Sequence, residues 1–323
     1  DLDAVSSTRM IVVAHVSGHI QNVNTPVLAA CGFTRDSNID GLLRDPSGNL
    51  TGELLGPAVM GRASRAAGDA GLMREMDAEA YRAEALCELG VSYGESERQR
   101  YDLFKPETMR GNAIVLFIHG GYWQALDRSF FSHMARGLNR RGIPVAVVGY
   151  DLCPQVELGH IVWEIQQAAA ALWQRYSLPV VASGHSAGGH LAACLLATNW
   201  ANVEEGLPEH LVPAAYGISG LYNLKPLTET SINGALKLSF EAAERESPLF
   251  WPAPSGLVMD AVVGGEESEE YFKQSRRIVD VWGLSGVQTR YEEIVGANHF
   301  TVIGGLADPE NAMTRRIAEL AGA

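Results

Sequence analysis

The five residues Gly184-His185-Ser186-Ala187-Gly188 constrain what this chain can fold into more than any other stretch. They stand where an apolar run, Leu178-Pro179-Val180-Val181-Ala182-Ser183, gives way to the helix-forming Leu191-Ala192-Ala193-Cys194-Leu195-Leu196-Ala197. A strand that turns into a helix within so few residues needs backbone without Cβ atoms on both sides of the bend. The glycines two residues before and after Ser186 meet that need and leave the serine in a strained conformation. Its oxygen then stands exposed at the end of a sheet, with a helix N-terminus beneath any negative charge that develops. The spacing points to a serine nucleophile.

A serine hydroxyl attacks poorly until a base takes its proton, so a histidine and an orienting carboxylate are needed. From about residue 95 apolar runs alternate with helical patterns. Strands are expected near 112–118, 144–149, 179–184, 213–219, 257–263 and 289–295, and helices near 128–141, 161–176, 187–198, 268–283 and 307–321. That alternation implies a mostly parallel sheet with helices on both faces, the α/β class. On such a sheet, with a nucleophile elbow of the α/β-hydrolase kind, acid and base follow the serine on loops after later strands. The loop Gly264-Gly265-Glu266-Glu267-Ser268 offers two acids, and Gly296-Ala297-Asn298-His299-Phe300 offers the base. Asp260 lies inside a strand run and Asp280 inside a helix, which suits neither to the task. After the run Ile114 to Ile118 comes His119-Gly120-Gly121-Tyr122-Trp123. Backbone N–H groups of Gly120, Gly121 and Tyr122, together with that of Ala187, are the expected oxyanion hole. Trp123 and Tyr222 are expected to border the substrate, along with Tyr122, Phe250 and Trp251 on nearby loops.

Composition excludes several classes. The 323 residues carry a net charge of −13, which argues against nucleic acid or an anionic membrane as partner. No apolar run approaches the roughly 18–20 residues of a membrane span. The opening Asp1-Leu2-Asp3-Ala4 carries neither basic nor apolar leader character. Cys31, Cys87, Cys153 and Cys194 are scattered without metal-like spacing. A cytoplasmic enzyme with a small-molecule substrate and no cofactor or metal is expected, and a homo-oligomer is allowed.

Residues 1–65 read differently from the rest. Turn residues dominate, among them Asn22, Asn24, Pro26, Gly32, Asp45-Pro46-Ser47-Gly48-Asn49 and Gly56-Pro57, and apolar clusters are few. The stretches Asn24-Thr25-Pro26-Val27-Leu28, Gly32-Phe33-Thr34-Arg35-Asp36 and Arg44-Asp45-Pro46-Ser47-Gly48-Asn49-Leu50-Thr51-Gly52-Glu53 resemble an internal part of the YtcJ-like metal-dependent amidohydrolases. Those are similar to TIM barrels, and no barrel closes from so few residues. His15 and His19 have helical ligand spacing in a context that reads as strand and loop, so no metal is expected there. The segment is expected to be a foreign arm or lid, with 66–94 as a helical linker and 95–323 as the catalytic domain.

Residues 95–321 resemble the kynurenine formamidase family of α/β-hydrolases. The resemblance runs through Arg100-Tyr101-Asp102-Leu103, His119-Gly120-Gly121-Tyr122-Trp123-Gln124, Tyr150-Asp151-Leu152-Cys153-Pro154 and Gly184-His185-Ser186-Ala187-Gly188-Gly189-His190. It continues in Ser219-Gly220-Leu221-Tyr222-Asn223-Leu224, Ser247-Pro248-Leu249 and Asn298-His299-Phe300. It implies hydrolysis of a small aromatic N-formyl amide, with Ser186, Glu267 and His299 as the catalytic triad. Counting back from Gln274-Ser275 is what selects Glu267 over Glu266. A general carboxylesterase on short-chain esters, or a catalytically idle binding module, are the alternative readings.

Overall fold

The structure, a computed structural model, describes residues 2–14, 20–55, 59–60, 62–63, 66 and 70–323. His15 and His19 lie outside the described residues. The chain divides into two units, Asp1–Asp77 and Ala78–Ala323. Among the described residues no helix is long and apolar enough to cross a membrane.

The first unit carries four short strands, β1 (Val12–Ala14), β2 (Ile20–Val23), β3 (Leu42–Arg44) and β4 (Leu50–Leu55). They form an antiparallel sheet in the order β1-β2-β4-β3. Val23, Val27, Leu28, Phe33, Leu42 and Leu54 are buried together as a separate small core. The expectation of a segment short of apolar clusters is corrected here. Strands of three to six residues are too brief to display a period, and apolar residues separated by turns in sequence converge once those turns close.

The second unit is built on an eight-stranded sheet in the order β12-β11-β10-β9-β7-β8-β6-β5. Its strands are β5 (Cys87–Ser92), β6 (Arg100–Phe104), β7 (Ile114–Ile118), β8 (Val145–Val148), β9 (Val180–His185), β10 (Ala214–Ile218), β11 (Val258–Gly264) and β12 (Gln288–Ile294). β7 to β12 run parallel, whereas β6 and β5 are antiparallel to their neighbours. The expected helical linker over 66–94 therefore holds only for the helix Ala70–Glu84, and residues 87–92 join the sheet. A bulge between Glu88 and Val91 breaks the alternation by which that strand could have been read.

Along β7, Ile114, Leu116 and Ile118 enter one buried cluster while Val115 and Phe117 enter the other. Side chains alternate across a strand, so an unbroken apolar run fits only a sheet covered on both faces. The chain leaves β7 for β8 on one side and returns to β9 on the other. That reversal opens a crevice at the carboxyl ends of β7 and β9, where ligands bind in open α/β sheets. The loop His119-Gly120-Gly121 and Ser186 both issue from those ends.

Candidate active site

Ser186 caps the helix Ala187–Leu196 with φ 58° and ψ −117°. Steric crowding explains the flanking glycines. A Cβ on Gly184 would stand 2.2 Å from the Gly188 carbonyl oxygen, and one on Gly188 only 1.9 Å from that of Ile118. No side chain fits either gap. The Ser186 N–H donates to the Ile218 carbonyl at the end of β10 (2.8 Å) and its own carbonyl accepts from Gly189 (2.9 Å), which fixes the bend between β9 and the helix.

The loop after β7 lies alongside. A Cβ on Gly120 would be 3.0 Å from the Ser186 Cβ. Three successive residues, Gly121, Tyr122 and Trp123, have φ of 109°, 49° and 57°, a reversal that costs the two non-glycines strain. The fully buried His119 and Tyr150 hold this loop. The His119 Nδ1 donates to the Gly120 carbonyl (2.7 Å), and the Tyr150 hydroxyl donates to the His119 carbonyl (2.9 Å). Burial brings His119 down to about 4, so its ring is neutral near pH 7. Among the described residues, the N–H groups of Gly120, Gly121, Tyr122 and Ala187 meet no backbone acceptor. Such N–H groups beside a serine are what a developing oxyanion requires.

The candidate acid and base come from the loops after β11 and β12. The Glu267 side chain is fully buried, and its Oε2 lies 2.6 Å from His299 Nδ1. Its Oε1 accepts from the Ser219 hydroxyl (2.5 Å) and the Gly264 N–H (2.7 Å). Glu266 is exposed, and its backbone N–H donates to the Ala297 carbonyl (2.9 Å), lacing the two loops together. Asp260 is taken up by Arg316, 2.7 Å from its Nε. The His185 ring connects the elbow to the base by donating from Nε2 to the His299 carbonyl (2.8 Å). Glu267 and His299 are thus in contact, while no direct Ser186–His299 hydrogen bond is formed among the described residues.

Two expected substrate contacts are corrected. Trp123 is fully buried, with its ring edge-on to His190 at 5.1 Å. Tyr222 is also fully buried, its ring so close to Gly220 that a Cβ there would stand 2.5 Å away. The left-handed turn at Trp123 sends the indole into the core, where its large apolar surface is most stabilising. Phe250 stacks instead under Lys225 Nζ (4.5 Å), and the Trp251 indole donates to the Arg245 carbonyl (2.7 Å). Tyr122 does reach the site, and beside it stands an aromatic residue that the sequence reading overlooked. Tyr271 packs its ring 4.4 Å from that of His299 and places its hydroxyl 2.9 Å from that of Tyr122. Its position four residues after Glu267, across the start of the helix Glu269–Leu284, was the available signal. Ser219 was overlooked too, because nothing in sequence ties it to Glu267.

No family model matches the chain. It is 31% identical over 243 residues to a kynurenine formamidase of Salmo salar, covering 72% of this chain and 82% of that one. It is 32% identical over 238 residues to that of Drosophila melanogaster, covering 70% and 78%. Among solved structures, a Silicibacter protein described as a thioesterase superposes with a TM-score of 0.69 at 35% identity, over 80% of this chain and 94% of that one. With the α/β-hydrolase sheet and its elbow, these likenesses make the protein a hydrolase of the formamidase or esterase type. The chain belongs to the kynurenine formamidase family.

Proposed function

We propose that the protein cleaves a small aromatic N-formyl amide through an acyl-enzyme on Ser186, releasing formate and the free amine. The Glu267–His299 contact of 2.6 Å beside the strained serine is the observation that carries this reading. Glu267 fixes the imidazole with Nδ1–H toward itself, leaving Nε2 to take the Ser186 proton as Oγ attacks the formyl carbon. The N–H groups of Gly120, Gly121, Tyr122 and Ala187 receive the oxyanion. The imidazolium then returns its proton to the leaving nitrogen, the C–N bond breaks, and water repeats the sequence on the formyl ester. The names of the relatives support the amide substrate, and the four free cysteines suit a reducing cytoplasm.

Ser186→Ala is expected to lose on the order of 10⁴-fold or more in kcat with the fold intact. An organophosphonate should label the wild-type protein at Ser186, as read by mass spectrometry of its peptides. Turnover near the wild-type rate in the Ala variant would remove the serine mechanism. A second reading, a short-chain carboxylesterase, uses the same residues and acyl-enzyme chemistry.

A further inference from the structure

Esters and amides differ at the leaving atom. When a serine attacks an amide, the nitrogen lone pair must turn toward the histidine that will protonate it. The N–H that swings away then needs an acceptor, whereas an ester oxygen has no hydrogen to place. A hydrolase that handles amides well therefore profits from a neutral oxygen close to both the nucleophile and the base, with a lone pair directed at the leaving atom.

Tyr271 meets those conditions. Its ring packs against His299 at 4.4 Å and an interplanar angle of 35°. Its hydroxyl is 2.9 Å from that of Tyr122, whose backbone belongs to the oxyanion loop. The phenol thus bridges the base and the loop that would hold the substrate carbonyl. It is firmly mounted. Gln274, one turn further along the same helix, accepts from the N–H groups of Tyr222 (2.9 Å) and Asn223 (2.8 Å) and donates to the Asn223 carbonyl (2.9 Å). Burial and the Tyr122 hydroxyl keep the phenol above its ordinary value, hence neutral. The Ser186 side chain acts on it in the opposite sense.

We propose that Tyr271 is a further catalytic residue whose hydroxyl oxygen, its own proton directed to Tyr122, accepts the N–H of the scissile amide. The oxygen's lone pair then faces the leaving nitrogen as that atom turns toward His299. Tyr271 thereby sets the preference for amide over ester. This rests on Ser186 being the nucleophile.

The test compares formanilide with phenyl formate, which share formyl and aryl groups and differ at the leaving atom. In Tyr271→Phe the ratio of kcat/KM for the amide to that for the ester is expected to fall about 10-fold to 100-fold, the loss typical of one transition-state hydrogen bond. Tyr122→Phe should lower the same ratio by a smaller factor, because the phenol loses only its anchor. A ratio that stays at the wild-type value in Tyr271→Phe, whether both rates fall together or neither does, overturns the assignment. Phosphonate labelling of the same variant keeps the two readings apart. Intact labelling at Ser186 with an unchanged ratio defeats the role of Tyr271 alone, whereas no labelling in the wild type defeats the serine mechanism beneath it.

Discussion

At the scale of single residues, Glu267 shows how a carboxylate is held to one task. One oxygen faces His299 while the other is claimed by the Ser219 hydroxyl and the Gly264 N–H. Rotation would break all three contacts, so the carboxylate presents one fixed edge to the imidazole. Glu267→Gln should cost orders of magnitude in kcat, by analogy with loss of the triad acid elsewhere, and Glu266→Gln only a few-fold. Steady-state kinetics on both variants checks this, and the reverse ranking would move the acid to Glu266. The sequence left two adjacent acids after one strand, and the resemblance register separated them. What it could not supply was the roles of Ser219 and Tyr271. Ser219 opens one of the stretches that carry the resemblance and Tyr271 lies on the helix after Glu267, yet each acquires its role only when the segments after β10, β11 and β12 come side by side.

Elements were legible where an unbroken apolar run marked them. β7 to β11 read as such runs because both faces of the sheet are covered there, whereas β12 is a half-exposed edge strand, and the six expected spans lie within a few residues of those observed. β5 escaped because an edge strand with a bulge lacks both the run and the alternation, and β6 because Asp102 interrupts its apolar residues. The elbow helix adds a consequence for acid stability. His190 on that helix is fully buried, with Nε2 donating to the Glu246 carbonyl (2.7 Å) and no charged partner recorded at either nitrogen among the described residues. Burial lowers it to about 4, as it does His119 under the oxyanion loop. The unfolded chain takes up protons at these groups near the ordinary value of about 6.5, before the folded chain can. Their contribution to stability is therefore whole above about pH 6.5 and is lost as the pH falls toward 4. Each unit of pH in that window costs up to about 1.4 kcal/mol per histidine. Urea midpoints measured from pH 7 to pH 5 should fall steadily, and His190→Gln should flatten part of the slope. Constant midpoints over that range would contradict the neutral, buried state of both rings.

For the molecule as a whole, each unit has its own sheet and its own core. The sequence marked residues 1–65 as foreign, and turn composition hid their strands. Every candidate catalytic group lies in the second unit, whose first turns are pinned by the Tyr81 hydroxyl donating to Asn139 Oδ1 (2.6 Å) and by the Arg82–Asp102 ion pair (3.1 Å). Deleting residues 1–65 should therefore leave a folded protein whose Ser186 still reacts with a phosphonate. Aggregation of the shortened chain, or a serine that no longer labels, would show that the second unit is not self-sufficient. The strand order carries one more implication. The chain enters the large sheet at β5, while acid and base leave from β11 and β12 at the other edge. Seven strand spacings separate β5 from β12, roughly 34 Å across the ladder. Sequence joined upstream of β5 thus enters the sheet at the border opposite the one from which Glu267 and His299 come. An addition there would reach the sheet without interrupting the loops that carry those two residues.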